Sequence, residues 1–493
     1  MALIDENVLW ASADKLRGSV APSDYMHITL GLIFLKYISD RFEEKYNDLL
    51  KDNEGFENDK DEYLADHIFW LPEKARWKKV AKYSKQEEIG QKLDEAFLEI
   101  EKENEELKGI LPKMYSKPEI DKRRLGELVD LFTNKLITED KEGDFMGQVY
   151  EYFMSKFARK LGEKGGEFFT PRCIVKLLVA MLNPTSGRVY DPCCGSGGMF
   201  VQTAEFIKAH SGNVNNISVY GQENNATTWK LAKMNLAIRG ISADLGESPG
   251  DTFFDDKHKS LRCDYILANP PFNISDYGQP KLLGDARWFF GIPPEGNANY
   301  GWIQHIYSKL SPNGVAGFVL ANGSLSTSNK QEFEIRKNML DAGVVDCIIT
   351  LPEKLFYTTG IPVSLWFIRK NKKSKDVLFI DARNMGEMID RRVRELKEND
   401  IATISNTYRS WNKENNEEYK DIKGYCKSAT LEEIIANEYT LVPGRYVGID
   451  DSNKLSEEEI KEELKNTSIE LLKLFEEGKE LEQKVIEILK TNI

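Results

Sequence analysis

The chain has 493 residues, 41% of them hydrophobic, which predicts two or three domains with sizeable cores. Its net charge of −13 disfavours a protein that holds nucleic acid by itself, because phosphate binding requires clustered Lys and Arg. DNA stays open as a substrate if a basic partner, or the basic run at residues 369–375, supplies the positive field. That run also fits an ordinary solvated surface.

The sequence disfavours several other classes of protein. It contains no run of the roughly 18 apolar residues that span a membrane, and its N-terminus lacks the basic and apolar regions of a signal peptide. The 6 cysteines form no CxxC pair, and the 5 histidines form no HExxH motif. We therefore expect reduced thiols, no metal site, no membrane association and a cytoplasmic location.

Residues 1–145 are predicted to form a helical N-terminal domain, and residues 146–425 a catalytic α/β domain. In the first, apolar residues recur at helical spacing between positions 28 and 42. In the second, short β-rich runs alternate with helical stretches, which predicts a mostly parallel, doubly wound sheet with helices on both faces. These runs lie at residues 188–191, 218–223, 265–269, 315–321, 344–351 and 363–368.

The C-terminal part of the chain is more polar. The stretch 384–427 is expected to cover the surface or to connect elements. Residues 426–493 are predicted to form a tail with a long amphipathic helix at 457–490, whose heptad pattern is interrupted by Thr467 and Gly478. The pattern fits equally a helix packed on its own protein and a helix that docks on a partner. The apolar heptad residues are Leu464, Leu471, Leu474, Leu481, Val485 and Ile488.

A glycine-rich loop, DPCCGSGGMF at residues 191–200, follows the first predicted strand. Glycines allow a tight turn and close approach to a ligand, at the strand end where doubly wound folds bind nucleotides. The loop is neither GxxxxGK[ST] nor GxGxxG, which disfavours ATP hydrolysis and ordinary dinucleotide binding. The expected cofactor residues in this loop are Asp191, Gly195, Ser196, Gly197 and Gly198.

Two acidic residues follow the loop at informative positions. Glu223 ends the second predicted strand, where a carboxylate can accept hydrogen bonds from ribose hydroxyls. Asp251 precedes the 265–269 strand, where it can accept from an adenine amine. Either acid alone fits an ordinary loop residue. Together with the glycine loop, and in this order, they predict a site for an adenosine-containing cofactor.

The tetrapeptide Asn-Pro-Pro-Phe at residues 269–272 ends a buried strand. An amine on an aromatic ring is a poor nucleophile, because its lone pair is delocalised. The Asn269 side chain and the Pro270 carbonyl can accept from such an amine and stabilise its developing positive charge, while Pro270 and Pro271 keep both acceptors rigid. Phe272 offers a flat face to a base flipped out of a duplex. The tetrapeptide alone also fits an inert turn, but the glycine loop upstream favours methyl transfer from a sulfonium cofactor.

With these motifs, the chain resembles the modification (methyltransferase) subunit of type I restriction–modification systems, a family of adenine-N6 DNA methyltransferases. The resemblance extends almost end to end, with the cofactor loop before Asn-Pro-Pro-Phe and no large insert between them. Segments 9–18 and 30–40 are similar to the family's helical domain. Further similar segments lie at residues 166–172, 288–294, 297–299, 302–305, 355–357 and 360–362.

The resemblance implies S-adenosylmethionine as the cofactor and residues 269–272 as the catalytic motif. It implies a Rossmann-like S-adenosylmethionine-dependent methyltransferase sheet, an all-helical N-terminal domain and a C-terminal helix. It also places a segment before the first strand over the cofactor. The residues expected there are Glu167, Phe168, Phe169, Thr170, Pro171 and Arg172.

The resemblance also implies partners. In the family, a separate specificity subunit recognises the target sequence in double-stranded DNA, and two modification subunits enclose the DNA around it. A third, ATP-driven restriction subunit cleaves. The helical domain is then expected to clamp DNA or to contact the second copy of the chain, and the C-terminal helix to pack on the specificity subunit.

Two other enzymes use similar chemistry. A protein-glutamine N-methyltransferase also acts on a delocalised planar nitrogen, but it predicts a shorter chain without segment 288–305 or the long helical region. A cytosine-N4 DNA methyltransferase uses the same chemistry, and Asn269 in place of Ser favours adenine. A scaffold protein would require a degraded site, and a single-chain restriction enzyme leaves no domain for a nuclease.

Overall fold

The computed structural model describes residues 22–52, 55–135, 149–150, 152–153, 170–210, 212–356, 360–449 and scattered positions between 464 and 481. Segment 9–18 and residues Glu167, Phe168, Phe169, Tyr357, Val485 and Ile488 lie outside this part of the chain. The described positions between 464 and 481 are helical, and the leucines of the predicted heptad among them are more than half exposed. None of the described helices combines the length and the apolar character needed to cross a bilayer.

The described N-terminal part is helical, and its apolar stripe is buried as predicted. Leu30, Ile33 and Phe34 are fully buried in one hydrophobic core. Gly31 allows close packing, because a Cβ atom there would lie 2.2 Å from the Tyr115 hydroxyl, which donates to the Ile28 carbonyl. The helices are α1 (Pro22–Asp52), α2 (Lys60–Ala65), α3 (Trp77–Val80), α4 (Ile89–Glu103) and α5 (Lys122–Lys135).

A 9-stranded sheet forms the centre of the rest of the molecule. Each of the six β-rich runs predicted from the sequence is a strand. The strands are β1 (Gly187–Asp191), β2 (Ile217–Gly221), β3 (Ala243–Asp244), β4 (Cys263–Ala268), β5 (Leu310–Ala321), β6 (Val345–Thr350), β7 (Val363–Arg369), β8 (Val377–Asp381) and β11 (Cys426–Ala429), in the order β11-β8-β6-β7-β5-β4-β1-β2-β3. A separate two-stranded sheet joins β9 (Glu387–Met388) and β10 (Arg394–Glu395).

The sheet is parallel around the glycine loop and mixed beyond it. β1, β2, β4 and β5 pair in parallel, whereas β7 lies antiparallel between β5 and β6. Six of the seven residues of β7 are buried, so no polar face in the sequence indicates its direction. The carboxyl ends of β1, β2 and β4 therefore meet at one edge, as the sequence predicts for a ligand site.

Helices cover both faces of the sheet and enclose two hydrophobic cores. Leu231, Met234 and Ile238 of one of these helices pack instead into the N-terminal core, which ties the helical region to the sheet. The helices are α6 (Arg172–Leu182), α7 (Gly198–Ala209), α8 (Ala226–Ile238), α9 (Asn299–Lys309), α10 (Lys330–Asp341), α11 (Glu398–Trp411) and α12 (Leu431–Ala436).

The polar stretch 384–427 is more ordered than the sequence predicts. It contains α11, which buries Ile401, Ile404 and Tyr408, and it ends at β11, which pairs antiparallel with β8. Only one face of α11 is buried, so its average composition is polar. Because β11 begins at Cys426, the sheet extends past the domain boundary expected at residue 425.

Candidate active site

A cavity of about 670 Å³ opens at the carboxyl ends of β1, β2 and β4. Its walls include five of the predicted site residues. Pro192, Cys193, Phe253 and Trp302 also line it. The topology thus brings together residues far apart in sequence, because the ends of neighbouring parallel strands meet there. The predicted residues on the wall are Gly195, Glu223, Asp251, Asn269 and Pro271.

The glycine loop is held in place by the two acids at the strand ends. Asp191 accepts a hydrogen bond from the Cys193 amide at 3.0 Å, and Glu223 accepts one from the Gly195 amide at 3.0 Å. Gly195 and Gly197 have φ angles of 54° and 80°, in the left-handed region that favours glycine. The loop therefore needs glycine at both positions, and Glu223 supports its backbone as well as facing the cavity.

Burial gives this edge of the sheet unusual electrostatics. It raises the pKa of the Asp191 carboxyl to about 7, and it also raises the pKa of Glu223. Desolvation disfavours a charged carboxylate, and the backbone amides compensate only in part. The charged forms of these two acids are disfavoured in the free protein. Hydrogen-bond donors on a ligand would stabilise those charged forms.

Asn269 presents the decisive polar group of the cavity. Its Nδ2 donates to the Thr170 hydroxyl at 2.9 Å, whereas its Oδ1 is buried and has no hydrogen-bond partner among the described residues. A buried acceptor without a donor costs about 1–3 kcal/mol. Such a group at the wall of a cavity is suited to a ligand that donates to it.

The other predicted residues within the described part of the chain do not line this cavity. Pro270 is buried, and Phe272 packs edge-to-face on Phe356, with ring centroids 6.1 Å apart. Pro171 caps α6, and Arg172 donates to Glu205 of α7 at 2.9 Å. Asp191 and Ser196 are buried in the glycine loop. Gly197 caps α7, and Gly198 is its first residue.

Helix α9 positions two of the loops that form the cavity. Asn299 and Asn273 exchange two hydrogen bonds of 2.9 Å, which hold the turn after Phe272 where Asn273 has a φ of 54°. One turn further along, Trp302 forms part of the wall. A further turn on, His305 contacts the side chain of Arg287 at 3.0 Å.

Arg287 connects α9 to the loop that contains Asp251. Its guanidinium donates to the Thr252 carbonyl at 2.9 Å and to the Phe253 carbonyl at 2.6 Å. Burial, with the Arg287 charge alongside, holds the pKa of His305 well below its ordinary value. The neutral imidazole can therefore accept from Arg287 through Nδ1.

Comparison with known proteins identifies the family. Residues 141–455 match the model for N-6 DNA methylases, and residues 6–132 match the model for the HsdM N-terminal domain. The chain is 44% identical to the methylase subunit of the type I restriction enzyme HindI from Haemophilus influenzae, over 84% of this chain and 98% of that one. The chain belongs to the methylase subunits of type I restriction enzymes.

Other relatives agree with this assignment of the methylase subunit. The MjaIX methylase subunit from Methanocaldococcus jannaschii is 39% identical over 98% of this chain and 90% of its own. The structure of a type I methyltransferase subunit from Streptococcus thermophilus superposes with a TM-score of 0.77 and 26% identity, over 90% of this chain and 98% of that one. The predicted family and fold class are confirmed.

Several residues that shape the site of this methylase subunit were not predicted from the sequence. Arg287, Asn299, Trp302 and His305 lie within or beside segments singled out by the family resemblance, but their tasks were not predicted. The spacing of three residues on α9 was a usable signal for one shared face. The loops that this face supports became visible only in the fold.

Proposed function

We propose that this methylase subunit transfers the methyl group of S-adenosylmethionine to N6 of adenine in DNA. The main support is the buried Oδ1 of Asn269, an atom that has no donor among the described residues and belongs to a residue that lines the cavity. The exocyclic amine of a flipped adenine is a donor of the required kind. The family assignment supports the same reaction.

The cavity residues suit this cofactor. A volume of about 670 Å³ lies within the range of cofactor sites. Glu223 is suited to the ribose hydroxyls and Asp251 to the adenine amine of the cofactor, while the loop with Gly195 allows close approach of the backbone. S-adenosylmethionine supplies an electrophilic methyl group on a sulfonium sulfur.

In this mechanism Asn269 acts on the target amine. Its Oδ1, with the Pro270 carbonyl, accepts from the amine and favours a pyramidal nitrogen whose lone pair faces the methyl carbon. With S-adenosylmethionine bound, formation of the N–C bond would accompany breakage of the S–C bond, whose electron pair would stay on sulfur as a neutral thioether, and the methylated amine would release one proton to water. The rigid prolines keep the acceptors in place during attack, so little reorganisation accompanies charge development. Phe272 is proposed to stack on the flipped base.

The partners are part of the same proposal. A separate specificity subunit would recognise the DNA target, two copies of this chain would enclose the DNA, and a restriction subunit would join the full assembly. The net charge of −13 supports the need for a partner that attracts DNA. We propose that the helical domain, residues 1–145, clamps DNA or contacts the second copy. The C-terminal helix predicted at residues 457–490 would pack on the specificity subunit through its exposed leucines.

The test combines this chain and its specificity subunit with labelled S-adenosylmethionine and DNA, followed by digestion to nucleosides. We expect label on adenine N6 only when both chains are present. Transfer by this chain alone would contradict the division of labour. Label on cytosine would correct the substrate to the N4 amine, and label on a protein instead of DNA would favour glutamine methylation.

A further inference from the structure

The contact between Thr170 and Asn269 assigns a task to a residue outside the catalytic tetrapeptide. We infer that Thr170 is a positioning residue for the Asn269 carboxamide, an inference that rests on the function proposed above. The two residues are 99 positions apart, and the Thr170 hydroxyl oxygen lies 2.9 Å from Asn269 Nδ2. The family resemblance had placed Thr170 among residues that close over the cofactor.

The chemistry of a carboxamide makes its orientation decisive. Rotation by half a turn about the Cβ–Cγ bond exchanges its oxygen with its NH2 group. Only the oxygen can accept a hydrogen bond from the target amine, whereas the NH2 group would face the amine as a second donor. The Thr170 hydroxyl can accept from Nδ2 or donate to Oδ1, so its contact restrains rotation of the carboxamide, and the target amine, which needs an acceptor, favours the orientation with Nδ2 on Thr170. In the structure Thr170 holds Nδ2, and the buried Oδ1 is the atom left for a ligand.

Thr170 provides the only hydrogen bond to the Asn269 side chain among the described residues. The backbone around Asn269 restrains the amide less directly, because χ2 of asparagine is a broad torsion. Loss of the threonine hydroxyl would therefore leave the carboxamide free to rotate. Thr170 itself is not among the residues that line the cavity, so its effect would pass through Asn269.

The position of Thr170 makes it a rigid support. It directly precedes Pro171 and α6, whose residues Ile174, Leu177 and Leu178 are fully buried under the sheet. Proline restricts the backbone on its N-terminal side as well as its own φ. A catalytic group is held accurately when the residue that supports it is itself fixed by packing.

The first test compares Thr170→Val with Thr170→Ser in the complex with the specificity subunit and target DNA. Valine keeps the shape and removes the hydroxyl, whereas serine keeps the hydroxyl. We expect Thr170→Val to lower the single-turnover rate about tenfold to a hundredfold at saturating S-adenosylmethionine, and serine to restore most of it. Calorimetry should give an unchanged Kd for S-adenosylmethionine. Thr403→Val, which removes an exposed hydroxyl on α11, is the matched control.

The same substitution in an Asn269→Asp variant tests whether Thr170 fixes the orientation of the side chain at position 269. A carboxylate presents an equivalent oxygen in either orientation, so Thr170→Val should cost much less when Asn269 is replaced by Asp. An equal cost in both backgrounds would overturn the inference, because coupled residues give non-additive effects. If Asn269→Asp abolishes transfer, the comparison of valine with serine at position 170 decides whether Thr170 positions Asn269.

The remaining outcomes separate this inference from the proposed function. If Thr170→Val weakens S-adenosylmethionine binding by the same factor as it lowers the rate, Thr170 belongs to the cofactor site and the inference fails. An unchanged rate in Thr170→Val, with an active wild-type enzyme, overturns the inference alone. Absence of transfer to DNA by the wild-type complex overturns the proposed function, and the inference with it.

Discussion

Two buried polar clusters lie at opposite edges of the same sheet. At the carboxyl ends of β1 and β4, the Oδ1 of Asn269 is buried without a donor among the described residues. At the amino end of β6, Asp346 is also buried, but Tyr408 donates to it at 2.6 Å and the Arg369 Nε atom lies 3.4 Å away. Lys372 Nζ lies 3.8 Å from its other oxygen.

The difference separates a polar cluster that is satisfied within the fold from one that keeps an acceptor available to a ligand. Buried polar groups are normally satisfied within the protein, because leaving one unpaired costs free energy. Asp346 follows this rule and Asn269 does not, although both belong to the same domain. The Asp346 cluster also explains part of the basic run at residues 369–375. Arg369 and Lys372 are engaged with Asp346, on the edge away from the cavity.

The largest effect is expected at Asn269, whose Oδ1 has no donor among the described residues. Asn269→Ala should lower methyl transfer about a thousandfold, because it removes the acceptor that stabilises charge on the amine. The Kd for S-adenosylmethionine should remain nearly unchanged, since Asn269 is assigned to the target base. Single-turnover kinetics and calorimetry measure the two quantities. Equal losses in both would show that Asn269 acts on the cofactor instead.

Asp346→Ala should act on stability rather than on chemistry. It leaves the buried Lys372 and the largely buried Arg369 without their carboxylate, which should lower the free energy of unfolding by about 3 kcal/mol. Urea denaturation measures this change. At urea concentrations below the unfolding transition, the methyl-transfer rate per folded molecule should match that of the wild type. A loss of this rate without loss of folded protein would contradict a purely structural role of the cluster.

Glu223→Ala should weaken S-adenosylmethionine binding about tenfold to thirtyfold. It removes the acceptor proposed for the ribose hydroxyls and also releases the Gly195 amide. Glu223→Gln, which keeps an acceptor of similar shape, should show a smaller loss in the same calorimetric titration. An unchanged affinity in both variants would make the ribose assignment wrong.

The smallest effect is expected at the opposite edge. Lys373 and Lys375 are exposed lysines of the basic run, which begins where β7 ends beside the start of β5. The double change Lys373→Ala and Lys375→Ala should alter DNA affinity of the complex less than about twofold and stability by less than about 0.5 kcal/mol. A shallower salt dependence of binding would instead indicate phosphate contacts there.

Much of the fold was predictable because its signals are local. The β-rich runs from 188–191 to 363–368 each form one strand, since a strand buried on both faces needs a short apolar run. Helix α11 and strand β11 escaped prediction. The buried face of α11 is diluted by polar residues, and β11 is a four-residue edge strand whose partner, β8, lies more than 40 positions earlier.

The candidate site was predictable as a set of residues but not as an arrangement. The glycine loop, Glu223, Asp251 and Asn269 could be proposed because their chemistry and order suit the proposed reaction, and Gly195, Glu223, Asp251 and Asn269 line one cavity. Thr170 was predicted with the cofactor residues, because nothing local indicates that its hydroxyl contacts the Asn269 amide at the end of β4. The same holds for the support that Arg287 gives to the Asp251 loop.

The sequence by itself determined six of the strands, which loop must contain glycine and which side chains are suited to the proposed chemistry. These depend on backbone preferences and functional groups, which belong to single residues or short segments. The tertiary structure alone decided that β7 runs antiparallel, that Asp346 is satisfied, and that Asn269 keeps an open oxygen. These features depend on which residues distant in sequence meet in the interior. There, each buried polar group either finds a hydrogen-bond partner or stays unpaired.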